Sequence, residues 1–243
     1  MTAPKSFDDV QQYEQEIRRL VPGYDLLHTM LPAVLRATAP ECKRVLAIGC
    51  GPAREVVTLA HELEGSIIDA LDPSPAMVAT ARKTVEDAGL TERIRIIPHA
   101  LADFTVERPY DAVVALLVGH LVADDGSRAR FLEDLSKALC PGAVAVLAEL
   151  EDAGPAHALL TEAHLHCSEA AGVDPDRIIT MRQRLSGRFH AITRARLAEL
   201  ASGVGLRVNA EFFRSFGFVG LLLERAGNRS PQGHPAGSSP SAS

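Results

Sequence analysis

Residues 45–51 read Val-Leu-Ala-Ile-Gly-Cys-Gly, and residues 67–72 read Ile-Ile-Asp-Ala-Leu-Asp. Each is an apolar run as long as a buried strand; the first leads into a glycine turn and the second ends in a carboxylate. Glycine lets the backbone pass close to a ligand, and a carboxylate about 20 residues further on can accept hydrogen bonds from two ribose hydroxyls. The two runs therefore predict the nucleoside-binding half of an α/β domain.

The turn differs from that of a dinucleotide site. Such a site has a third glycine three positions after the second, so that a pyrophosphate can face the start of the helix. Here that position is Arg54, preceded by Pro52 and Ala53. Proline suits the first turn of the following helix, but the side chains of Ala53 and Arg54 leave less room for a pyrophosphate.

The glycine turn resembles motif I of the class I S-adenosylmethionine (SAM) methyltransferases. Residues 72–77 (Asp-Pro-Ser-Pro-Ala-Met), 110–114 (Tyr-Asp-Ala-Val-Val) and 139–143 (Leu-Cys-Pro-Gly-Ala) are similar to later motifs of that superfamily. The resemblance implies SAM as cofactor and a seven-stranded, Rossmann-like α/β sheet with an antiparallel C-terminal hairpin and an N-terminal helical cap.

The resemblance also assigns cofactor contacts to individual positions. In the superfamily, acids stand at two of them, near the methionine end and the adenine of SAM, but this chain has Ala47 and Ala100 there. Cofactor binding with altered contacts at both ends is therefore expected. The predicted cofactor-binding residues are Tyr24, Ala47, Gly49, Cys50, Gly51, Asp72, Pro73, Met77, Ala100, Leu101 and Leu116.

Hydropathy patterning predicts the order of the elements. Short apolar strands alternate with helical segments, as a parallel sheet requires; they cover 44–49, 66–72, 93–98, 111–118 and 143–150. Two more apolar strands, at 206–213 and 217–225, are too close in sequence for a parallel crossover and must pair antiparallel.

Three regions are predicted along the chain. Residues 1–40 form the helical cap, with helices over Asp8–Leu20 and Asp25–Ala37. Residues 41–227 form the SAM-binding domain, and a helical insertion at 155–192 precedes a helix over 193–204 capped by Thr193. Residues 228–243 are rich in Ser, Pro and Gly and are predicted to be disordered.

Composition limits the classes of partner. The chain has 243 residues and a net charge of −6, without a Lys/Arg-rich run, so nucleic acid and anionic membranes are not expected partners. No apolar run reaches the ~18 residues of a membrane helix, the first twenty residues are polar, and the four cysteines are scattered. We expect a cytoplasmic enzyme acting on a small-molecule substrate, and the sequence leaves a homodimer open.

Three segments outside the cofactor motifs narrow the resemblance. Residues 18–24 (Arg-Arg-Leu-Val-Pro-Gly-Tyr), 182–185 (Arg-Gln-Arg-Leu) and the aromatic-rich 211–218 are similar to the carboxy-SAM synthase and tRNA wobble-uridine methyltransferase-like family. In that family a tyrosine and an arginine contact the modified SAM, the arginine through the added carboxylate. The resemblance assigns these roles to Tyr24 and Arg182.

Few other residues are candidates for chemistry. Methyl transfer from a sulfonium requires mainly alignment, with a base only where the acceptor loses a proton. His120 follows the fourth strand at the carboxyl end of the sheet and is a candidate base or substrate contact. Glu149 or Glu151, at the end of the fifth strand, is a candidate to line the acceptor pocket. The histidines of the insertion do not share one helix face, so no metal site is predicted. The predicted catalytic residues are Tyr24, His120 and Arg182.

Three functions remain open from the sequence. The first is methyl transfer from SAM to a small metabolite. The second uses SAM itself as substrate, by carboxy-SAM formation or by cyclisation to azetidine-2-carboxylate with release of methylthioadenosine. The lost acids at Ala47 and Ala100 motivate the second, and a SAM-binding regulatory module is the third.

Overall fold

The computed structural model describes residues 7–227, so the predicted disordered tail at 228–243 lies outside the described residues. Seven strands are present in this range: β1 (Arg44–Ile48), β2 (Ile67–Leu71), β3 (Ile94–Ile97), β4 (Tyr110–Leu116), β5 (Leu139–Leu150), β6 (Leu206–Ser215) and β7 (Phe218–Arg225). The α-helices are α1 (Phe7–Leu20), α2 (Tyr24–Thr38), α3 (Arg54–Glu62), α4 (Pro75–Asp87), α5 (Ser127–Ala138), α6 (His157–Ala170), α7 (Pro175–Gln183) and α8 (Arg194–Gly203).

The strands form one sheet in the order β3-β2-β1-β4-β5-β7-β6. The first five pair in parallel, whereas β7 pairs antiparallel with both β5 and β6. The strand order reverses beside β1, between β1 and β4, and ligands of open α/β sheets bind at the carboxyl ends of the strands at such a switch point. The predicted seven-stranded Rossmann-like fold with an antiparallel C-terminal hairpin is confirmed.

Both faces of the sheet are covered, which explains why its central strands are almost wholly apolar. In β1, Val45 and Ala47 belong to the core beneath α2 and α3, whereas Leu46 and Ile48 belong to the core on the opposite face. All four side chains are buried.

Two boundaries differ from the sequence prediction. Strand β5 begins at Leu139 rather than 143, because Leu139 pairs with Tyr110 before the register shifts. The insertion contains a second helix, α7, followed by a short π-helical turn over Arg184–Arg188. Asp174, whose side chain accepts a hydrogen bond from the Asp176 amide, and Pro175 in the first turn are the local start signal of that helix.

The helix before β1 packs a continuous apolar stripe against the sheet. Leu27, Leu31 and Leu35 of α2 are fully buried at helical spacing, and Tyr24 and His28 lie on the same buried face. This packing holds the first turn of α2 beside the carboxyl end of β1. None of the described helices is long and apolar enough to cross a membrane.

Candidate cofactor and substrate site

The glycine turn after β1 has the backbone that its sequence predicts. Gly49 and Gly51 adopt left-handed φ angles of 69° and 52°. A Cβ on Gly49 would lie 2.5 Å from the Cγ2 atom of Val118, whereas a Cβ on Gly51 would meet no protein atom within 4 Å. Glycine is therefore required at 49 by the neighbouring loop, and at 51 it leaves open space beside the backbone for a ligand.

Asp72 links the end of β2 to this turn. Its carboxylate accepts hydrogen bonds from the Gly51 amide at 2.9 Å and from the Ser74 amide at 2.8 Å. Burial raises the pKa of Asp72, and the two backbone donors oppose that shift. Each oxygen keeps a further acceptor position, so the carboxylate can brace the turn and still receive ribose hydroxyls.

A cavity of about 510 Å³ opens at this end of the sheet, within the range of small-molecule sites. It brings together predicted residues from distant parts of the chain: Tyr24, Gly49, Cys50, Gly51, Asp72, Pro73, Met77, Leu116 and His120. The lining is mainly apolar with a few polar groups, as expected for a nucleoside-containing ligand. The open side of Gly51, the carboxylate of Asp72 and the wall of Met77 and Leu116 fit SAM.

The N-terminal helices close one side of the cavity. Ile17, Leu20, Val21, Tyr24 and His28 contribute to its lining. The start of α2 is fastened to α3 by an ion pair between Asp25 and Arg54 at 2.6 Å, and the Arg54 guanidinium lies 5.5 Å from the centre of the Tyr24 ring. Arg54 occupies the third-glycine position of a dinucleotide site, so the residue whose side chain leaves less room for a pyrophosphate also fastens the cap.

The hydrogen bonding of His120 leaves it able to donate, but not to accept, a hydrogen bond in the cavity. Its Nδ1 accepts a hydrogen bond from the Leu150 amide at 3.2 Å, which places the proton of the neutral ring on Nε2. Burial and then the charge of Arg128 lower its pKa to about 3, so the ring is neutral. Its role as substrate contact stays a prediction, and the alternative role as base does not fit this tautomer.

Glu55 is a cavity residue that was not among the predicted ones. It lies in the first turn of α3 and is buried. Burial is the main reason that its pKa rises to about 8, and the nearby charge of Asp72 adds to the shift. At neutral pH its carboxyl is therefore mostly protonated and can donate a hydrogen bond.

Arg182 does not reach the cavity, so the prediction that it faces this site is wrong. Its guanidinium pairs with Glu162 of α6 and the side chain is 43% exposed. Arg184, two residues later, lines the cavity instead. The reason is the helix phase: two residues correspond to about 200° around an α-helix, so Arg182 and Arg184 point in opposite directions.

Among the described residues, Arg184 is the only arginine or lysine that lines the cavity. No ion pair joins it to a carboxylate of those residues. It lies 5.8 Å from the centre of the Phe189 ring, and the Phe189 amide donates to its carbonyl at 2.8 Å. Burial, followed by the charge of Arg188, lowers its pKa. An arginine held in this way is suited to bind an anionic group of a ligand.

Other predicted contacts lie outside the lining. Ala47 is buried in the core under the N-terminal helices, and Leu101 is buried in the core on the other face of the sheet. Ala100 precedes Leu101 in a short 3₁₀ turn and does not line the cavity either. Ala47, Ala100 and Leu101 therefore do not line this cavity, and their contacts with SAM stay predictions.

Glu149 and Glu151 do not face the cavity. Glu149 is buried in an ion pair with Arg128 at 2.7 Å, and Glu151 pairs with Arg194 and Arg214. Arg128 also donates to the carbonyl of His190 at 2.9 Å, which fixes the chain just after Phe189. Through Arg128, Glu149 thus holds the end of the insertion on the sheet, whereas Glu151 ties the start of α8 to β6.

The insertion histidines form no metal centre. His164 is buried and its Nε2 lies 2.6 Å from the carbonyl of Leu20, so it ties α6 to the end of α1. No group of three or more potential metal ligands is found among residues 7–227.

A second concavity of about 770 Å³ lies at the opposite end of the sheet. Its buried acid, Asp69, already accepts from Arg95 at 2.8 Å and from the Tyr110 hydroxyl at 2.6 Å. Its main polar groups are thus satisfied by each other, and it lies away from the switch point where ligands bind.

Comparison with known proteins agrees with the geometry. Residues 45–142 match the sequence family described as a methyltransferase domain, which covers the stretch from β1 to the start of β5. A 1,6-didemethyltoxoflavin-N1-methyltransferase from Burkholderia thailandensis, solved with S-adenosylhomocysteine, has the same fold, with a TM-score of 0.60 and 16% identity over 93% of this chain and 92% of that chain. In this domain and in its fold the chain is similar to the class I SAM-dependent methyltransferases, and the predicted cofactor, SAM, is confirmed.

Within this class, curated relatives match nearly the whole chain. The carboxy-S-adenosyl-L-methionine synthase of Psychrobacter arcticus is 29% identical over 233 residues, 89% of this chain and 88% of the relative. The enzyme of the same name from Klebsiella pneumoniae is 24% identical over 92% of each chain. At this coverage the similarity extends well beyond residues 45–142, and the family resemblance read from the sequence is supported.

Proposed function

We propose that this enzyme transfers the methyl group of SAM to a small-molecule acceptor bound in the same cavity. The observation that carries the proposal is the continuity of the cavity from Asp72 and Gly51 to His28, His120 and Arg184. Asp72 and Gly51 are enough to bind the ribose and to form the glycine turn. The polar groups of the other three residues are therefore available to an acceptor. The cover formed by α1, α2 and the 184–189 segment favours an acceptor of low molecular weight.

SAM supplies an activated methyl group on a sulfonium. The chain's task is then alignment, with the acceptor atom in line at about 3 Å and water kept out. The apolar side chains of Leu116, Val118, Phe189 and Phe218 line the cavity and can exclude water. The Nε2–H of His120 and the guanidinium of Arg184 can orient polar groups of the acceptor.

Use of SAM itself as the substrate is the second candidate. Two observations favour it: relatives named carboxy-SAM synthase match about nine tenths of the chain, and Arg184 is an available cation for a carboxylate. In this function Arg184 would bind the carboxylate of the amino-acid tail or of the product.

Product analysis separates the two candidates. Purified enzyme is incubated with SAM alone and with SAM plus a defined mixture of phenols, amines and hydroxy acids, and nucleosides are identified by mass spectrometry. We expect S-adenosylhomocysteine that depends on the mixture. Because carboxy-SAM formation requires a carboxyl donor, a parallel incubation contains SAM with 2-oxo and hydroxy diacids. Methylthioadenosine or carboxy-SAM formed without a methyl acceptor would contradict methyl transfer and support the second candidate.

A further inference from the structure

Glu55 is a buried acid that lines the cavity beside the glycine turn. It lies in the first turn of α3, and only 8% of its surface is exposed. Its charge reaches Cys50 of the glycine turn: burial raises the pKa of that thiol, and the charges of Glu55 and Asp72 raise it further. The carboxyl of Glu55 is therefore close to both groups that are expected to hold the cofactor, the glycine turn and Asp72.

The protein gives this carboxyl a hydrogen-bond donor but no countercharge. The donor is the backbone amide of Glu55 itself, and no ion pair joins the carboxyl to a cation of the described residues. The adjacent cation, Arg54, is paired with Asp25 at 2.6 Å. Both ring nitrogens of His28 are sealed and unpaired, whereas the Glu55 oxygens are not. Since one amide satisfies one oxygen, at least one carboxyl oxygen is open to the cavity.

The charges around Glu55 favour a cationic ligand group. Burial is the largest cause that raises its pKa to about 8; Asp72 at the end of β2 and Glu14 of α1 raise it further, and Arg54 opposes them. Two further acids thus face the carboxyl, together with one arginine whose charge is already compensated. A cation that enters such a site is attracted to it and shifts the buried acid toward its ionised form.

We propose that Glu55 binds a cationic group of SAM, the ammonium or the sulfonium, and releases its proton to the solvent as the cofactor binds. SAM carries both positive groups outside its adenosine, and the ribose hydroxyls occupy Asp72, so Glu55 is the acid left to receive them. The proton passes to the buffer and the carboxylate stays with the cation, so charge balances. The proposal rests on SAM binding in this cavity, which both candidate functions require, and does not depend on the acceptor.

The first test counts protons. SAM is titrated calorimetrically at pH 7 in phosphate and in Tris, whose heats of protonation differ, so the difference in binding heat gives the protons released. Because most of a carboxyl with a pKa of about 8 is protonated at pH 7, we expect release of about 0.5–1 proton per SAM. Glu55→Gln should bind SAM without this release, whereas Glu64→Gln, an exposed acid just after α3, should keep it. No release by the wild type, or equal release by Glu55→Gln, would overturn the proposal.

The affinity for SAM gives a second readout. A proton that must leave weakens binding below the pKa, so the affinity of the wild type should rise about five- to tenfold from pH 6 to pH 7. The cavity histidines do not contribute to this slope, because the pKa values of His28 and His120 are about 4 and about 3. Glu55→Gln should give a flat profile over this range, and a wild-type slope in that variant would overturn the assignment to Glu55.

Two analogues identify the cation and separate Glu55 from Asp72. S-adenosylhomocysteine keeps the ammonium but has no sulfonium, and methylthioadenosine keeps the adenine and ribose but has neither charge. Equal proton release with SAM and S-adenosylhomocysteine would assign Glu55 to the ammonium, and release with SAM alone would assign it to the sulfonium. Methylthioadenosine should release no proton. As much release as with SAM would place the proton on the ribose-binding Asp72 and overturn the proposal.

Discussion

The two sides of the cavity differ in how their polar groups are satisfied. On the sheet side (49–51, 72–77 and 116–120), Asp72 already accepts from two backbone amides and His120 accepts from a third. On the helix side (Tyr24, His28, Arg184 and Phe189), neither ring nitrogen of His28 has a hydrogen-bond partner among the described side chains, and no described carboxylate forms an ion pair with Arg184. The fold itself thus fixes the polar groups of the sheet side, and we expect those of the helix side to be available to a ligand.

This difference follows from how each side is built. The sheet side is held by parallel strands whose register is fixed by both core layers, so its loops are shaped by the fold. The helix side comes from α2 and from the turn after α7, which are joined to the sheet by side-chain contacts. We therefore expect mutations of the sheet side and its supports to affect stability or cofactor affinity, and mutations of the helix side to affect ligand recognition.

The largest expected effect concerns the buried ion pair behind the sheet side. Arg128→Ala leaves Glu149 buried without its partner, and removing one partner of such a pair costs about 3–5 kcal/mol. It also removes the hydrogen bond to the His190 carbonyl. We expect a loss of this size in the free energy of unfolding measured with urea. Arg130→Ala, an exposed arginine of the same helix, is the control, and equal stability of the two variants would refute the role of the pair.

Next in size is a pH effect at Glu55. Its pKa is raised in the folded state, so the folded chain binds the proton more tightly than the unfolded chain. The corresponding stability is present below about pH 4.5 and is lost as pH rises toward about 8. Since one pKa unit is about 1.4 kcal/mol, the loss should reach a few kcal/mol.

Glu55→Gln tests that effect directly. The amide has a similar shape and does not ionise, so the variant should be more stable than the wild type at pH 8 by about 2–4 kcal/mol. At pH 4.5 the two should be similar. Parallel stability curves across pH 4.5–8 would mean that Glu55 ionises freely in the folded chain.

Asp72→Ala should weaken cofactor binding by about 1.5–3 kcal/mol, because the ribose loses a charged acceptor and the turn loses its brace. Calorimetric titration with S-adenosylhomocysteine measures the loss. Asp72→Asn separates the two contributions, since the amide oxygen can still accept from one backbone amide. An affinity unchanged in Asp72→Ala would place the ribose elsewhere; Asp87→Ala, on the exposed end of α4, controls for charge.

The sheet side of the cavity could be predicted from the sequence better than the helix side. Gly49, Gly51 and Asp72 are at fixed spacing from a strand end, so their neighbourhood was predictable. His28 was missed because its neighbours Leu27, Leu31 and Leu35 form an ordinary apolar helix face, and no local pattern distinguishes a cavity-facing member. Placement of Arg182 or Arg184 at the cavity depends on the start and phase of α7, which the Asp174-Pro175 pair signals but does not fix.

The smallest expected effect is the sharpest test of the helix side, because two arginines of one segment are compared. Arg184→Gln should weaken SAM or acceptor binding by about 1.5 kcal/mol, or about tenfold, if the guanidinium binds a ligand carboxylate. Arg182→Gln removes the same charge two residues away and breaks only its exposed pair with Glu162, so its effect should stay within about 0.5 kcal/mol. Arg184→Lys should restore part of the affinity, since it keeps the charge without the planar fork.

Calorimetric titration of all three variants with SAM and with decarboxylated SAM locates the anion, because only a contact to the amino-acid carboxylate disappears with the decarboxylated compound. Equal losses with both compounds would assign Arg184 to another ligand group, and a larger loss in Arg182→Gln would return the anion site to Arg182.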